Sequence, residues 1–350
     1  MIQGQKRTEK EYRNLQMDSS SSLKEFSIDR KKYFRRYILG EAIQDEESKA
    51  SKIGSLVDCL LLSPSEFDNK FCLSCLEKEP TGLMMEFCNA LIKHTFENTK
   101  EGKLNISFEE IAKLAYVDSG FKISFEKVLE KFIGQNPEIW YKEALDIKSK
   151  GLIVITLQDL QNAEKIIEEL KTNEFIAPII NLKDKEKGFE VYNQLPIDGY
   201  EVFGHKFKSL LDKVVVDHIN KLIFVYDLKI VWNVEGFYED YFLYRRSYIQ
   251  AYLYEKAIKF WREQNNLKDY RVVLPKFIVG DSISYFKSLI YEMTNQEMEK
   301  AEKGFEYKGK KYKGVRELIL ELQWHQNNNI WEISMENYLN GGIVKIGGNE

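Results

Sequence analysis

Ten consecutive residues, LIFVYDLKIV at positions 222–231, constrain the fold more than any other part of the chain. Side chains alternate along a strand, so Ile223, Val225, Asp227, Lys229 and Val231 share one side and Leu222, Phe224, Tyr226, Leu228 and Ile230 the other. Both sides are mostly apolar, the mark of a central strand covered on both faces. One side nonetheless carries a carboxylate and an amine two residues apart. A buried charge is costly unless it is paired or bound to metal. Asp227 and Lys229 are therefore an internal ion pair, a pair at the water-facing end of a sheet, or part of a reactive centre.

The preceding segments select among these. FEVYNQLPI and HKFKSLLDKVVVD also read as strands, rich in Val, Ile, Phe and Tyr. Asn220 and Lys221 fall in the turn before Leu222, so the last two strands should form an antiparallel hairpin. Asp212 interrupts its own apolar run fifteen positions before Asp227. Laid side by side, the two carboxylates can converge on one cation. Mg²⁺ or Mn²⁺ prefers oxygen ligands and keeps several waters, and two aspartates with a backbone carbonyl, that of Leu228, meet this need. Such a metal acidifies a bound water and neutralises charge on an attacked phosphate. Lys229 would orient the water or stabilise the transition state.

The remainder of the chain gives context. At 350 residues it can bury a full core, and 43% hydrophobic with 30% charged residues is ordinary for a globular protein. A net charge of -4 argues against coating nucleic acid through the overall field, though not against a local basic groove. Aromatic residues reach 13%, leaving ring faces for packing or for stacking on bases. The start, MIQGQKRTEKEYRN, lacks an apolar leader core, and no run of about eighteen apolar residues exists, so a cytoplasmic location without membrane contact is expected. Residues 1–18 are polar and read as a loose tail, followed by one domain over 19–346.

Helices are expected from about Glu46 to Leu62, through most of 83–182, from about Tyr238 to Gln264, over SYFKSLIYEMTNQEMEKAEKGF and over KGVRELILELQW, with VVLPKFIVG as a further strand. Ser107-x-x-Glu110 and Thr156-x-x-Asp159 are capping signals. This order gives an α/β fold, a mixed central sheet flanked by helices, with a mainly helical insertion before the catalytic core at about 189–290. Cys72-x-x-Cys75 suggests a metal cluster only weakly: FCLSCLE reads as a strand, and Cys59 and Cys88 sit in apolar helices. His94, His205, His218 and His325 have no metal-binding spacing, and neither a Ser–His–Asp signature nor a phosphate-cradling glycine loop is present.

Taken together, D-x(14)-D-L-K resembles the core of the PD-(D/E)XK nuclease superfamily. Gly204-His-Lys-Phe-Lys-Ser-Leu-Leu-Asp212 is similar to the "GxKxKgrlD" strand of that family, and Val225-Tyr-Asp227-Leu-Lys229 to its "ivDlKT" strand, with Ile230 in place of Thr. Gln250 and Tyr254 in YIQAYLYEKA match the "QxxxY" helix of the RecE, RecB and lambda exonuclease branch, in which the glutamine stands near the scissile phosphate. KIGSLVDCLLLSPSEF, the serine run before Leu23 and WEISMENYLNGGIVKIG extend the likeness over most of the chain.

The resemblance implies a Mg²⁺- or Mn²⁺-dependent exodeoxyribonuclease of phage recombination. It acts on duplex DNA, forms a homo-oligomeric ring and works with a single-strand annealing protein. Asp212, Asp227, Lys229, Gln250 and Tyr254 would be catalytic. Two departures stand out. Asp58 replaces a usual His and is either a metal ligand or one half of a salt bridge. Gln194 takes the place of a usual Glu ligand, with Glu190 as a substitute. Arg245, Arg246, Lys206, Lys208 and the KGKKYKGVR stretch are candidates for phosphate contacts. An endonuclease of the same fold, and a binding module with a lapsed active site, are the alternatives.

Overall fold

The structure, a computed structural model, describes residues 9–41, 49–76, 79–100, 103–186, 188–285 and 287–344. The chain forms two compact units, one comprising 1–43 with 169–350, the other 44–168.

The first unit is built on a mixed sheet. Its strands are β1 (Phe189–Val202), β2 (His205–Asp217), β3 (Leu222–Val231), β4 (Arg271–Val272), β5 (Lys276–Asp281) and β6 (Leu289–Glu292). The order is β6–β5–β3–β2–β1, and β4 pairs with the beginning of β3. Strands β1, β2 and β3 run antiparallel, whereas β4 and β5 lie parallel to β3. The strand expected at the centre is at the centre, between β2 and β5. Phe203 and Gly204 close the first hairpin with φ of 48° and 73°, the left-handed pair that matches strand twist in a two-residue turn. The second hairpin is closed by Asp217, whose Oδ1 accepts from the Ile219 and Asn220 N–H groups at 2.9 Å each and whose Oδ2 accepts from Asn220 Nδ2. Lys221 completes this turn at φ 53°.

The longer helices that pack with this sheet in one core are α1 (Ser20–Ile28), α2 (Ser247–Gln264), α3 (Asn295–Lys303) and α4 (Val315–Asn328). Val214 and Val216 of β2 and Ile223 and Val225 of β3 bury against Ile249, Leu253, Ala257 and Ile258 of α2. Helix α1 starts in a capping box, Ser19 with Ser22, and buries Leu23 and Phe26. Residues just ahead of α1 are tied down. Lys208 Nζ donates to the carbonyls of Tyr12, Arg13 and Leu15 at 2.8–3.1 Å, and the Lys208 N–H donates to Asp18 O. Asp18 in turn accepts from Ser22 and Tyr33 and pairs with His205 Nε2. The first eight residues of the expected loose tail lie outside the described residues.

Three expected elements differ. The helix expected from Tyr238 is a π-helix over Tyr238–Leu243 that breaks at Arg246, φ 53°, before α2 begins. VVLPKFIVG is two strands, because Pro275 has no N–H to continue a ladder. The helix expected over SYFKSLIYEMTNQEMEKAEKGF is strand β6 followed by α3, whose start is fixed by Thr294 accepting from the Glu297 N–H. A short apolar run such as LIYE has no period long enough to tell helix from strand.

The second unit is mainly helical. Helices Lys49–Leu62, Leu83–Glu97, Phe108–Ser119, Phe125–Phe132, Asn136–Ser149 and the start of Leu157–Thr172 accompany a parallel strand pair, Phe71–Leu73 with Ile153–Ile155. The expected helix start at Glu46 lies outside the described residues. Phe87, Leu91, Phe132 and Trp140 anchor its core. Both expected caps form, at Ser107–Glu110 and at Thr156–Asp159. Buried Lys52 pairs with Glu79 and, at 2.8 Å, with Asp159. No helix among the described residues is long and apolar enough to cross a membrane.

Candidate active site

The register of β2 on β3 pairs Lys213 with Tyr226 and Val214 with Val225. One further step sets Asp212 opposite Asp227. There the ladder gives way to a side chain: Asp212 Oδ2 accepts from the Leu228 N–H at 2.9 Å. Directly opposed residues share a face, so both aspartates lie on the side of the sheet that carries Val225 and meets α2. On the first hairpin the recorded pairs are Asn193 with Lys213 and Leu195 with Leu211, which leaves Gln194 beside Asp212. Gln194 adopts φ 52°, and its side chain takes no hydrogen-bond partner among the described residues. Three neighbouring strands thus place Gln194, Asp212 and Asp227 in one row.

Asp227 is almost wholly buried, at 1% exposure. Its Oδ1 accepts from Gln250 Nε2 at 2.7 Å, and its Oδ2 forms an ion pair with Lys229 Nζ. Gln250 also donates to the Tyr254 hydroxyl at 2.8 Å, and the Tyr254 hydroxyl donates to the Leu210 carbonyl of β2 at 2.8 Å. Helical spacing of four makes this possible, since Gln250 and Tyr254 stand one above the other on the buried face of α2. The amide oxygen of Gln250 is held from the opposite direction by Lys24 Nζ of α1, at 2.8 Å.

The charges respond as this arrangement dictates. For Lys229, burial disfavours the ammonium, but Asp227 and Asp212 outweigh it and hold the pKa above the ordinary value. For Lys24 the balance goes the other way. Burial, then the nearby charge of Lys229, lowers its pKa to about 7, with Arg245 acting in the same direction and Asp227 opposing. Burial and the two aspartates raise the Tyr254 phenol well above its usual value, so it stays a neutral hydroxyl.

These oxygens suit a hard cation. Asp227 Oδ2 and Leu228 O both face the Lys229 ammonium, the latter at 3.3 Å. A cation already sits against two of the expected ligands. Asp212 adds the second carboxylate. Among the described residues no group of three or more His, Cys, Asp or Glu side chains is gathered to hold a metal ion.

Several other expected site residues have surroundings of their own. Asp58 is half-buried on the Lys49–Leu62 helix of the second unit. Arg246 is half-buried and donates to Ser27 Oγ at 2.8 Å. Lys208 spends its ammonium on three backbone carbonyls. Lys206 is exposed on β2. Arg245 is exposed too, with its guanidinium over the rings of Tyr241 and Tyr244 at 6.0 and 5.4 Å. Among the described residues all four cysteines are free thiols. Sequence reasoning missed Lys24. Its one signal was its place beside Leu23, on the flank of the apolar stripe of α1, where a long amine can reach over a neighbouring helix.

No protein-family model and no curated protein matches the chain. Among solved structures, a protein from Eubacterium rectale, provisionally named an exonuclease, is similar with a TM-score of 0.49 and 14% identity, over 99% of this chain and 97% of that one.

Proposed function

We propose that the protein is a metal-dependent DNA nuclease, and specifically an exonuclease acting on duplex DNA in phage recombination. One observation carries this. Asp227, nearly inaccessible to water, is bound at the same time by Lys229 from its own strand and by Gln250 from α2, with Asp212 opposite. The sequence resemblance to PD-(D/E)XK nucleases rests on those same residues. Asp212, Asp227 and Leu228 O would hold Mg²⁺ or Mn²⁺, with Gln194 beside them. Such an ion supplies a water of lowered pKa and neutralises phosphate charge. Lys229 orients the water and stabilises the negative charge that develops. Gln250 and Tyr254 fix the direction of Asp227. Arg245 and Lys206 are exposed and available to phosphates. A ring-shaped homo-oligomer and a single-strand annealing partner belong to this proposal through the resemblance alone.

The test is digestion of linear and circular duplex DNA with Mg²⁺ or Mn²⁺, comparing the wild type with Asp227→Ala. Loss of linear DNA alone, abolished by the substitution and by EDTA, is the expected outcome. Cutting of the circle points to an endonuclease, and intact substrates with either metal sink the proposal.

A second reading, a DNA- or protein-binding module with a lapsed site, draws on Gln194. That neutral side chain stands in the row where a third carboxylate would strengthen metal binding. Mn²⁺ titration separates the two, since a lapsed site binds the ion poorly.

A further inference from the structure

The central sheet has a gap in one edge. Strands β4 and β5 both lie parallel to β3, on the same side of it, as one broken strand. Arg271 stands opposite Leu222 and Lys276 opposite Tyr226, so the broken strand has one residue more than β3 over this stretch, a bulge just ahead of β5. Strand β6 covers the outer edge of β5: Glu292 is opposite Lys276, and the Met293 N–H donates to Pro275 O at 3.2 Å. At the next residue, Thr294, the chain caps α3 and turns away. The outer edge of β4 is left without a strand among the described residues. The N–H groups of Arg271 and Val273 donate to Lys221 O and Ile223 O at 2.8 and 2.9 Å. The N–H and C=O of Val272, between them, therefore point outward, where they meet no partner among the described residues. Open edge backbone of this kind is a template for a further strand.

A cavity of about 440 Å³ opens at this edge, within the range of ligand clefts. Glu255 and Lys259 of α2, Glu292 and Met293 at the end of β6, and Arg271 and Lys276 line it. Two of its three cations are matched: Lys259 pairs with Glu255 at 2.5 Å, and Lys276 with Glu292. Arg271 is exposed and has no carboxylate partner among the described residues. Met293, nearly buried, supplies an apolar wall. We infer that this edge is a docking slot for an extended, acidic segment of a partner protein, which adds a strand beside β4 and sets a carboxylate on Arg271. Main-chain hydrogen bonds give affinity in such pairing, and alternate side chains give selectivity. A guanidinium takes a carboxylate through two parallel hydrogen bonds. Nucleic acid fits the edge less well, because its phosphates bring no donor for the Val272 carbonyl, whereas a peptide brings both donor and acceptor. The inference is independent of the nuclease reading.

The probe is a short, end-capped, fluorescein-labelled peptide of alternating glutamate and valine, followed by anisotropy with the full chain at constant ionic strength. One control peptide carries lysine in place of glutamate, and another carries N-methyl groups on alternate backbone amides. The acidic peptide should bind the wild type, and both controls should bind about tenfold or more weakly. Arg271→Ala should weaken the acidic peptide by about tenfold, the range of a hydrogen bond to a charged group, and should melt with the wild type. Val272→Pro removes the outward N–H, a substitution that edge strands accept, and should weaken the acidic peptide too. N-methylation of the peptide probes the same edge bonds without touching the fold of the protein. Lys103→Ala, at an exposed site in the second unit, should leave affinity unchanged. No binding of the acidic peptide, equal binding of the lysine peptide, or equal binding by Arg271→Ala overturns the inference. Self-association that Val272→Pro abolishes, with the peptide unbound, assigns the edge to a second copy and also overturns it. So does a short duplex whose affinity in EDTA falls with Arg271→Ala while the peptide stays unbound.

Discussion

Lys229 holds Asp227 Oδ2 and the carbonyl of its own neighbour, Leu228, with one ammonium, so the lysine occupies the same oxygens that a metal would claim. Charge balance at this point is local. Removing either partner leaves the other buried without its main counter-charge.

Asp227→Asn and Lys229→Met should therefore each destabilise the fold by roughly 3 kcal/mol, and the double variant by clearly less than the two together. Urea denaturation of the four proteins measures this. Strict additivity would show that the pair is not coupled.

Tyr254→Phe removes the donor to Leu210 O and one acceptor of Gln250. The stability cost should be modest, about 1 kcal/mol. If Gln250 directs Asp227, kcat should fall much further than that figure implies, by tenfold or more, with KM little changed. Steady-state kinetics on linear duplex DNA decides it, and an unaltered kcat would confine Tyr254 to packing.

Lys208 was expected at DNA, yet its three carbonyl contacts bind the segment before α1. Lys208→Met should expose residues 9–18 to limited proteolysis and cost about 2 kcal/mol. A variant that keeps wild-type stability and loses DNA affinity would restore the DNA role.

The pKa of Lys24 gives a pH test with a definite sign. It falls from the usual 10.5 to about 7 in the folded chain, through burial first and then the charge of Lys229. Between those values the unfolded chain holds a proton that the folded chain has lost, so stability rises with pH across the window and is flat below it. Lys213, lowered to about 8 by burial, acts in the same direction. Comparison with Lys24→Met isolates Lys24: the wild type should gain on the variant from pH 7 to pH 10. Parallel melting curves over that range would refute the shift.

Much of the sheet was legible because a two-residue period leaves little choice. Once β2 and β3 were read as a hairpin with a turn at Asn220 and Lys221, the opposition of Asp212 and Asp227 followed. The α/β class and the mixed sheet flanked by helices follow from the same strands. Gln250 and Tyr254 were legible through their resemblance to the QxxxY helix, and their spacing of four added that they share one helix face. Lys24 was hidden, since nothing local in SSSSLKEF says which helix its amine will meet. The break at Arg246 was hidden for a related reason. A left-handed arginine goes against its own backbone preference and is held where tertiary contacts, here Ser27, fix it. Strand β6 was misread as helix because four residues carry no period.

The Asp217–Lys221 turn touches none of the acidic row, yet it decides whether that row exists. A strand shifted by one residue presents its other face. A single-residue insertion there would turn Asp227 and Lys229 away from Gln250 and offer Tyr226 and Leu228 in their place. The loop is in effect the gauge of the aspartate row, and under the proposed function a chemically innocent change in it would silence the protein as completely as loss of an aspartate.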